Sequence, residues 1–166
     1  MLFYLSFLAD IPKKFSFIFS VITASLGGRV SKSQSQRMVL KLYPQSIAYF
    51  NQTVGDRVLF VVDQSTLSDE GRAVLDGQAG WLTANPDYAI IIEGHADEQG
   101  TREYNLSLGA RRAAAVQDYL ISQGVPAGRM RTVSYGKERP IEVCSTESCY
   151  SQNRRSVTVL SMGAGA

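Results

Sequence analysis

The 166-residue sequence contains one histidine, two cysteines and one tryptophan. A four-ligand zinc site cannot be built from this set of histidine and cysteine. No serine or cysteine stands in a pattern with a general base, so no motif of nucleophilic catalysis is present. An internal repeat is absent as well. The composition is otherwise ordinary, with 45% hydrophobic and 19% charged residues, and it allows one folded domain with a hydrophobic core.

Acidic residues are almost missing from the first third of the chain. Residues 1–55 contain six Lys or Arg and only one acidic residue, whereas residues 56–166 contain eleven basic and fourteen acidic residues. The pI of about 8.6 therefore belongs to the N-terminal arm. The remainder of the chain is mildly acidic, which argues against nucleic acid as a partner. Its arginines also form no patch interleaved with aromatic residues. These arginines are Arg111, Arg112, Arg129, Arg131, Arg154 and Arg155.

No apolar run is long enough for a comfortable membrane span of about 20 residues. Residues 15–26 are apolar, follow Lys13 and Lys14, and end in small residues. This layout is typical of a secretory signal, so residues 1–28 are predicted to be a signal-like segment. Lipid attachment in bacteria would need a cysteine directly after the small residues. Arg29 stands there, and the sequence does not predict a lipid anchor.

The next boundary follows from composition. Residues 29–53 are rich in Ser and Gln and show no sustained period, which predicts a flexible tether. The folded domain is then expected over residues 54–162, with a short tail at 163–166.

The two cysteines, Cys144 and Cys149, are separated by four residues in a Ser/Thr/Glu-rich segment. Their proximity fits a small disulfide loop, which requires an oxidising compartment. Two free thiols are the alternative.

Strands alternate with two helices in the folded part. Ser68 is a natural N-cap for a helix that ends at Asn85, and a second helix is expected over residues 103–123. The continuous isoleucines of the second strand predict burial on both of its faces. This order predicts an α/β (α+β) sandwich in which one four-stranded sheet has helices packed on one face. The predicted strands are 57–62, 88–93, 131–135 and 155–160.

The most informative segment is GHADEQGTREYNLSLGARRAAAV, which follows the second predicted strand. Together with SYGKERP and SQNRRSVTVL, it resembles the OmpA-like peptidoglycan-binding domain, and most closely that of the peptidoglycan-associated lipoproteins of Gram-negative bacteria. The resemblance covers about residues 54–160. It implies a βαβαββ domain with a mixed sheet and non-catalytic binding of peptidoglycan. The chain departs from the family pattern at Val62, where Phe is common, and at Gln99, where Arg is common.

Two opposite charges within this motif suit a zwitterionic ligand. An arginine offers a planar fork to a carboxylate, and an aspartate accepts hydrogen bonds from an ammonium. The family binds the diaminopimelate of the stem peptide, which carries both groups on one carbon. The resemblance assigns the ammonium to Asp97 and the carboxylate to Arg112, with Asn105 and Leu108 lining the pocket and Asp63 contributing from the end of the first strand.

Alternatives to these roles remain open from the residues alone. Asp97 and Arg112 are also placed to form an internal ion pair with each other. For His95, a hydrogen-bonding role at the strand end is expected rather than metal binding, because no second histidine or nearby cysteine is available.

The resemblance also implies a place in the cell. We expect a periplasmic protein, associated with the outer membrane and without a cofactor, that links this membrane to the cell wall. Within the Tol-Pal system it would support envelope integrity and division, and periplasmic Tol proteins would be its partners.

The sequence leaves two other functions open. One is a peptidoglycan hydrolase with Asp97 and Glu98 as paired carboxylates, and the other is an OmpA-like anchor module of another envelope assembly. Adjacent carboxylates on a short loop usually diverge, and no apolar pocket that would raise their pKa is evident in the sequence. No enzymatic activity is therefore expected.

Overall fold

The computed structural model describes residues 43–162, which contain a four-stranded sheet with strand order β1-β4-β2-β3. Strand β2 runs parallel to β3, and β4 runs antiparallel to both β1 and β2. The sheet is therefore mixed, as expected. The strands are β1 (Arg57–Leu59), β2 (Tyr88–His95), β3 (Met130–Gly136) and β4 (Arg155–Met162).

Two long helices pack on one face of this sheet, which confirms the predicted fold class. The side chain of Ser68 accepts a hydrogen bond from Gly71 N, and that of Thr101 accepts one from Tyr104 N, so each helix begins at a side-chain cap. The helical elements are α1 (Ile47–Tyr49) with a π-helical turn at Phe50–Gly55, α2 (Asp69–Ala84), α3 (Arg102–Ser122), a 3-10 turn at Ala127–Arg129 and α4 (Glu147–Asn153).

The hydrophobic core lies between the sheet and the pair α2 and α3. Strand β2 contributes Ile90 and Ile92, which are buried, whereas Ile91 between them is half-buried. The prediction that this strand is buried on both faces is therefore wrong. Because the long helices cover only one face of the sheet, side chains on the other face of β2 keep contact with solvent.

The folded part begins earlier than predicted, so the tether assignment of residues 29–53 is wrong in its last part. Phe50 is fully buried, and its ring centroid lies 5.0 Å from that of Trp81. The Trp81 indole N–H donates a hydrogen bond to Pro44 O at 2.7 Å. These contacts fix a segment whose Ser- and Gln-rich composition suggested a tether.

The signal-like segment 1–28, the tether residues 29–42 and the tail 163–166 lie outside the described residues. Among the helices of residues 43–162, none has the length and apolar character needed to cross a membrane.

Cys144 and Cys149 are joined in a disulfide, with their Cα atoms 5.8 Å apart. The disulfide prediction is confirmed. The bond closes a loop around the beginning of α4, a helix that the sequence pattern did not indicate.

Candidate functional site

A cleft of about 230 Å³ opens beside the C-terminal end of β2 and the N-terminal turns of α3. Four of the five residues predicted to form the site line it, namely Asp63, Asp97, Asn105 and Leu108. Both positions at which the sequence departs from the family pattern, Val62 and Gln99, line it too. The remaining lining residues are Gly100 and Tyr104.

A close crossing of β2 and α3 builds this cleft. A methyl group on Gly94 would lie 1.8 Å from Gly109 O, so the strand and the helix meet at backbone distance. Only glycine allows this approach. As a result, the helix residues Asn105, Leu108 and Arg112 stand beside the loop that follows β2.

Asp97 is buried, and both of its carboxylate oxygens accept hydrogen bonds. Oδ1 accepts from Gln99 N at 3.1 Å, and Oδ2 accepts from Arg154 Nη1 at 3.0 Å. The Asn105 amide supports the same loop by donating to Gln99 O at 2.7 Å and to Asp97 O at 3.3 Å. The backbone and carboxylate of Asp97 are thereby fixed at the wall of the cleft.

Arg112 lies behind the cleft and is fully buried. Its guanidinium donates to Gln64 O and His95 O at 2.8 Å each, and to Val61 O at 3.1 Å. Burial lowers the pKa of Arg112 to about 10, although the charges of Asp97 and Asp63 oppose that shift. Arg112 thus ties the loop after β1 to the end of β2.

Asp97 and Arg112 do not form the alternative internal ion pair with each other within residues 43–162. Asp97 pairs with Arg154 instead. Within these residues, three of the five N–H groups of Arg112 donate to backbone carbonyls.

Asp63 also lines the cleft. The predicted strand 57–62 ends at Leu59; Phe60 N still donates to Arg154 O, and the chain then turns where Gln64 N donates to Val61 O. Asp63 follows with a φ of 59°, in a left-handed conformation that aspartate tolerates better than most residues. The Tyr104 hydroxyl donates to its carboxylate, which joins this loop to α3.

Arg154 is not among the site residues predicted from the sequence. Its Nε donates to Phe60 O at 3.1 Å, and Glu147 accepts hydrogen bonds from both Nη groups. Burial lowers the pKa of Arg154, but the hydrogen bonds to Glu147 and Asp97 raise it above its ordinary value. The SQNRRS segment contains a hint of this role, because two adjacent arginines stand at the start of a buried strand. The sequence does not show which carboxylates these arginines contact.

His95 is buried at the end of β2, and its ring stacks on Tyr135 with the centroids 5.5 Å apart. Within residues 43–162 neither ring nitrogen makes a hydrogen bond, and Nε2 lies 3.5 Å from Glu93 Oε2. The polar contact at this position is made by the backbone, whose carbonyl accepts from Arg112. Burial, together with the charges of Arg155 and Arg139, lowers the pKa of His95 to about 4.

This shift predicts a pH-dependent stability. Between about pH 6.5 and 4 the unfolded chain binds a proton at His95 that the folded chain does not, so the free energy of unfolding falls as the pH falls. The total loss from this group is expected to be about 3 kcal/mol. Urea unfolding across this pH range should show a shallower decline for His95→Phe than for the original chain. Equal pH slopes for the two proteins would contradict this assignment.

Comparisons with known proteins agree with this architecture. Residues 59–154 match the model of the OmpA family. The chain is 53% identical over 153 residues to a peptidoglycan-associated lipoprotein of Rhizobium meliloti, which covers 88% of this chain and 86% of the relative. It is 59% identical over 122 residues to the protein of the same name from Agrobacterium fabrum, which covers 74% of this chain and 68% of the relative.

A solved structure gives the same result. The peptidoglycan-associated lipoprotein of Burkholderia pseudomallei superposes with a TM-score of 0.64 at 37% identity, over 67% of this chain and 96% of that chain. The matched family model, the fold and two relatives above 50% identity agree. This chain belongs to the OmpA family.

Proposed function

We propose that this protein binds peptidoglycan, without catalysis, by holding the diaminopimelate of the stem peptide in the cleft between the Asp63 loop and α3. The observation that carries the proposal is the lining of that cleft, where two carboxylates, two side-chain amides and two apolar side chains meet in one pocket. The relatives named peptidoglycan-associated lipoproteins support the choice of ligand.

The chemistry of the ligand suits this pocket. The ammonium would lie against Asp97 and Asp63, and the carboxylate would face the positive charge of Arg112, which is buried behind the lining of the cleft. A charge-assisted hydrogen bond of this kind contributes about 1.5–3 kcal/mol when shielded from water. Leu108 and Val62 would contact the methylene chain of the diamino acid.

The surroundings of the two adjacent carboxylates favour binding over hydrolysis. Asp97 is buried and paired with Arg154, whereas Glu98 is exposed and does not line the cleft. A glycoside hydrolase needs two carboxyl groups that flank one scissile bond. Asp97 and Glu98 instead differ in environment and do not share the pocket.

The use of the arginines argues against a nucleic-acid function. Arg112 and Arg129 donate to backbone carbonyls, and Arg154 and Arg155 are buried. These four side chains make contacts inside the domain and are not free to contact phosphates.

We infer that the protein acts in the periplasm, in association with the outer membrane, as a member of the Tol-Pal system with periplasmic Tol proteins as partners. The Cys144–Cys149 disulfide supports an oxidising compartment. Two relatives above 50% identity are named peptidoglycan-associated lipoproteins, which favours this system over another envelope assembly.

Calorimetric titration with two stem peptides tests the ligand. A diaminopimelate peptide should bind about tenfold or more tightly than the matched lysine peptide, because the lysine side chain keeps the ammonium but lacks the carboxylate for Arg112. Soluble peptidoglycan fragments should remain uncleaved after prolonged incubation. Equal affinity for the two peptides would remove diaminopimelate recognition from the proposal, and released cleavage products would overturn the non-catalytic role.

A further inference from the structure

The ion pair between Asp97 and Arg154 raises a difficulty for cation binding. The side chains are only 8% and 5% exposed and lie 3.0 Å apart. A carboxylate and a guanidinium so close together have no net charge, and their combined attraction for a ligand's ammonium is weak.

A second carboxylate on Arg154 resolves this difficulty. Glu147 accepts from Arg154 Nη2, and also at 3.4 Å from Nη1, the nitrogen that donates to Asp97. The hydrogen bonds from Arg154 lower the pKa of Glu147 below its ordinary value, so Glu147 is negatively charged at neutral pH. The three groups together carry one net negative charge.

The position of Glu147 is fixed by the chain on both sides. It lies inside the loop that the Cys144–Cys149 disulfide closes, where Cys149 N and Tyr150 N both donate to Thr146 O. At the other end of α4, the buried Asn153 amide accepts from Ile141 N and Glu142 N and donates to Glu142 O. The distances from Asn153 Oδ1 to Ile141 N and Glu142 N are 2.9 and 3.2 Å, and the distance from Asn153 Nδ2 to Glu142 O is 2.8 Å.

We propose that Glu147 is a positioning residue that balances the charge of Arg154, so that Asp97 remains attractive to the ammonium of a ligand, and that the disulfide loop holds Glu147 in place. This inference rests on the proposed function, because it concerns the same binding site. It assigns a role in binding to α4 and its disulfide, which do not line the cleft.

Glu147→Gln in the full chain tests the charge-balancing role. Calorimetric titration with the diaminopimelate peptide should give an affinity about two- to fivefold weaker, as expected for an exposed ion pair, with an unchanged melting temperature. The matched control is Glu142→Gln, which removes the same charge from the same segment, at a position whose backbone contacts Asn153. It should bind like the original chain.

Salt distinguishes an electrostatic role from a structural one. Raising NaCl from about 50 to about 500 mM should bring the affinities of Glu147→Gln and the original chain together, because screening removes the charge effect. A deficit that is the same at both salt concentrations, or an equal deficit in Glu142→Gln, would overturn the inference.

The contribution of the disulfide follows from a double-mutant cycle. Cys144→Ser with Cys149→Ser should weaken binding when Glu147 is present and should have no further effect in the Glu147→Gln background. Equal losses in both backgrounds, or no loss in either, would overturn the role of the disulfide. An Asp97→Asn variant titrated in parallel separates the proposed function from this inference. If Asp97→Asn binds with unchanged affinity, the proposed binding site is rejected. If Asp97→Asn loses affinity and Glu147→Gln does not, only the role of Glu147 is rejected.

Discussion

Replacing Gly94 by alanine should destabilise the domain by about 3 kcal/mol or more, at the upper end of what overpacking produces. The added methyl group would stand 1.8 Å from Gly109 O, and the obstacle is backbone rather than the end of a flexible side chain. Strand β2 and helix α3 would have to separate, and Asn105 and Leu108 would move away from the loop that contains Asp97. Urea unfolding measures the loss of stability, and titration with the diaminopimelate peptide measures the expected loss of binding.

Gly80→Ala is the matched control. Gly80 lies in α2, is exposed, and has no atom within 4 Å of the position of an added methyl group. Alanine there should stabilise the helix by about 0.4–1 kcal/mol. If Gly94→Ala unfolds at the same urea concentration as Gly80→Ala, the close crossing does not exist as described.

Arg112→Lys should have the second large effect. Lysine keeps the positive charge, but its ammonium cannot reach three carbonyls that a planar fork serves together. The carbonyls of Val61, Gln64 and His95 would lose donors. We expect a loss of about 3 kcal/mol in the free energy of unfolding, measured by urea, because each buried hydrogen bond to a charged group contributes about 1.5–3 kcal/mol.

The neighbouring substitution Arg111→Lys separates this effect from a general one. Arg111 is exposed, and its guanidinium donates to Ser107 Oγ at 2.8 Å, so its replacement should change stability by less than about 0.5 kcal/mol. The affinity of the folded fraction of Arg112→Lys for the diaminopimelate peptide then shows whether Arg112 interacts with the ligand's carboxylate. Unaltered affinity in that fraction would make Arg112 a purely structural residue.

The elements of the fold were largely predictable from local signals. Ser68 marks the start of α2, and the apolar periodicity of α3 places its ends within a residue of those observed. The family motif also identified four residues that the structure brings to one cleft. Such features depend on residues close together in sequence, or on a pattern long enough to be specific.

Contacts between distant segments were not predictable. Phe50 is buried against Trp81, 31 positions away, and nothing in the Ser- and Gln-rich composition around Phe50 indicates that partner. Helix α4 lies in a short polar segment without an apolar stripe. The pairing of Asp97 with Arg154 spans 57 positions, and a pair of charges in one sequence does not reveal which of them meet in space.

The carboxylate of Asp97 is proposed to bind the ammonium of a ligand, and calorimetric titration of Asp97→Asn with the diaminopimelate peptide tests this proposal most directly. The amide keeps the size of the side chain but removes the charge, and Glu98→Gln removes a charge from the adjacent, exposed position. We expect Asp97→Asn to bind at least about tenfold more weakly than the original chain, and Glu98→Gln to bind like it. Thermal unfolding of each variant establishes that the titrated protein is folded. An Asp97→Asn variant that is folded and binds with unchanged affinity would contradict the account.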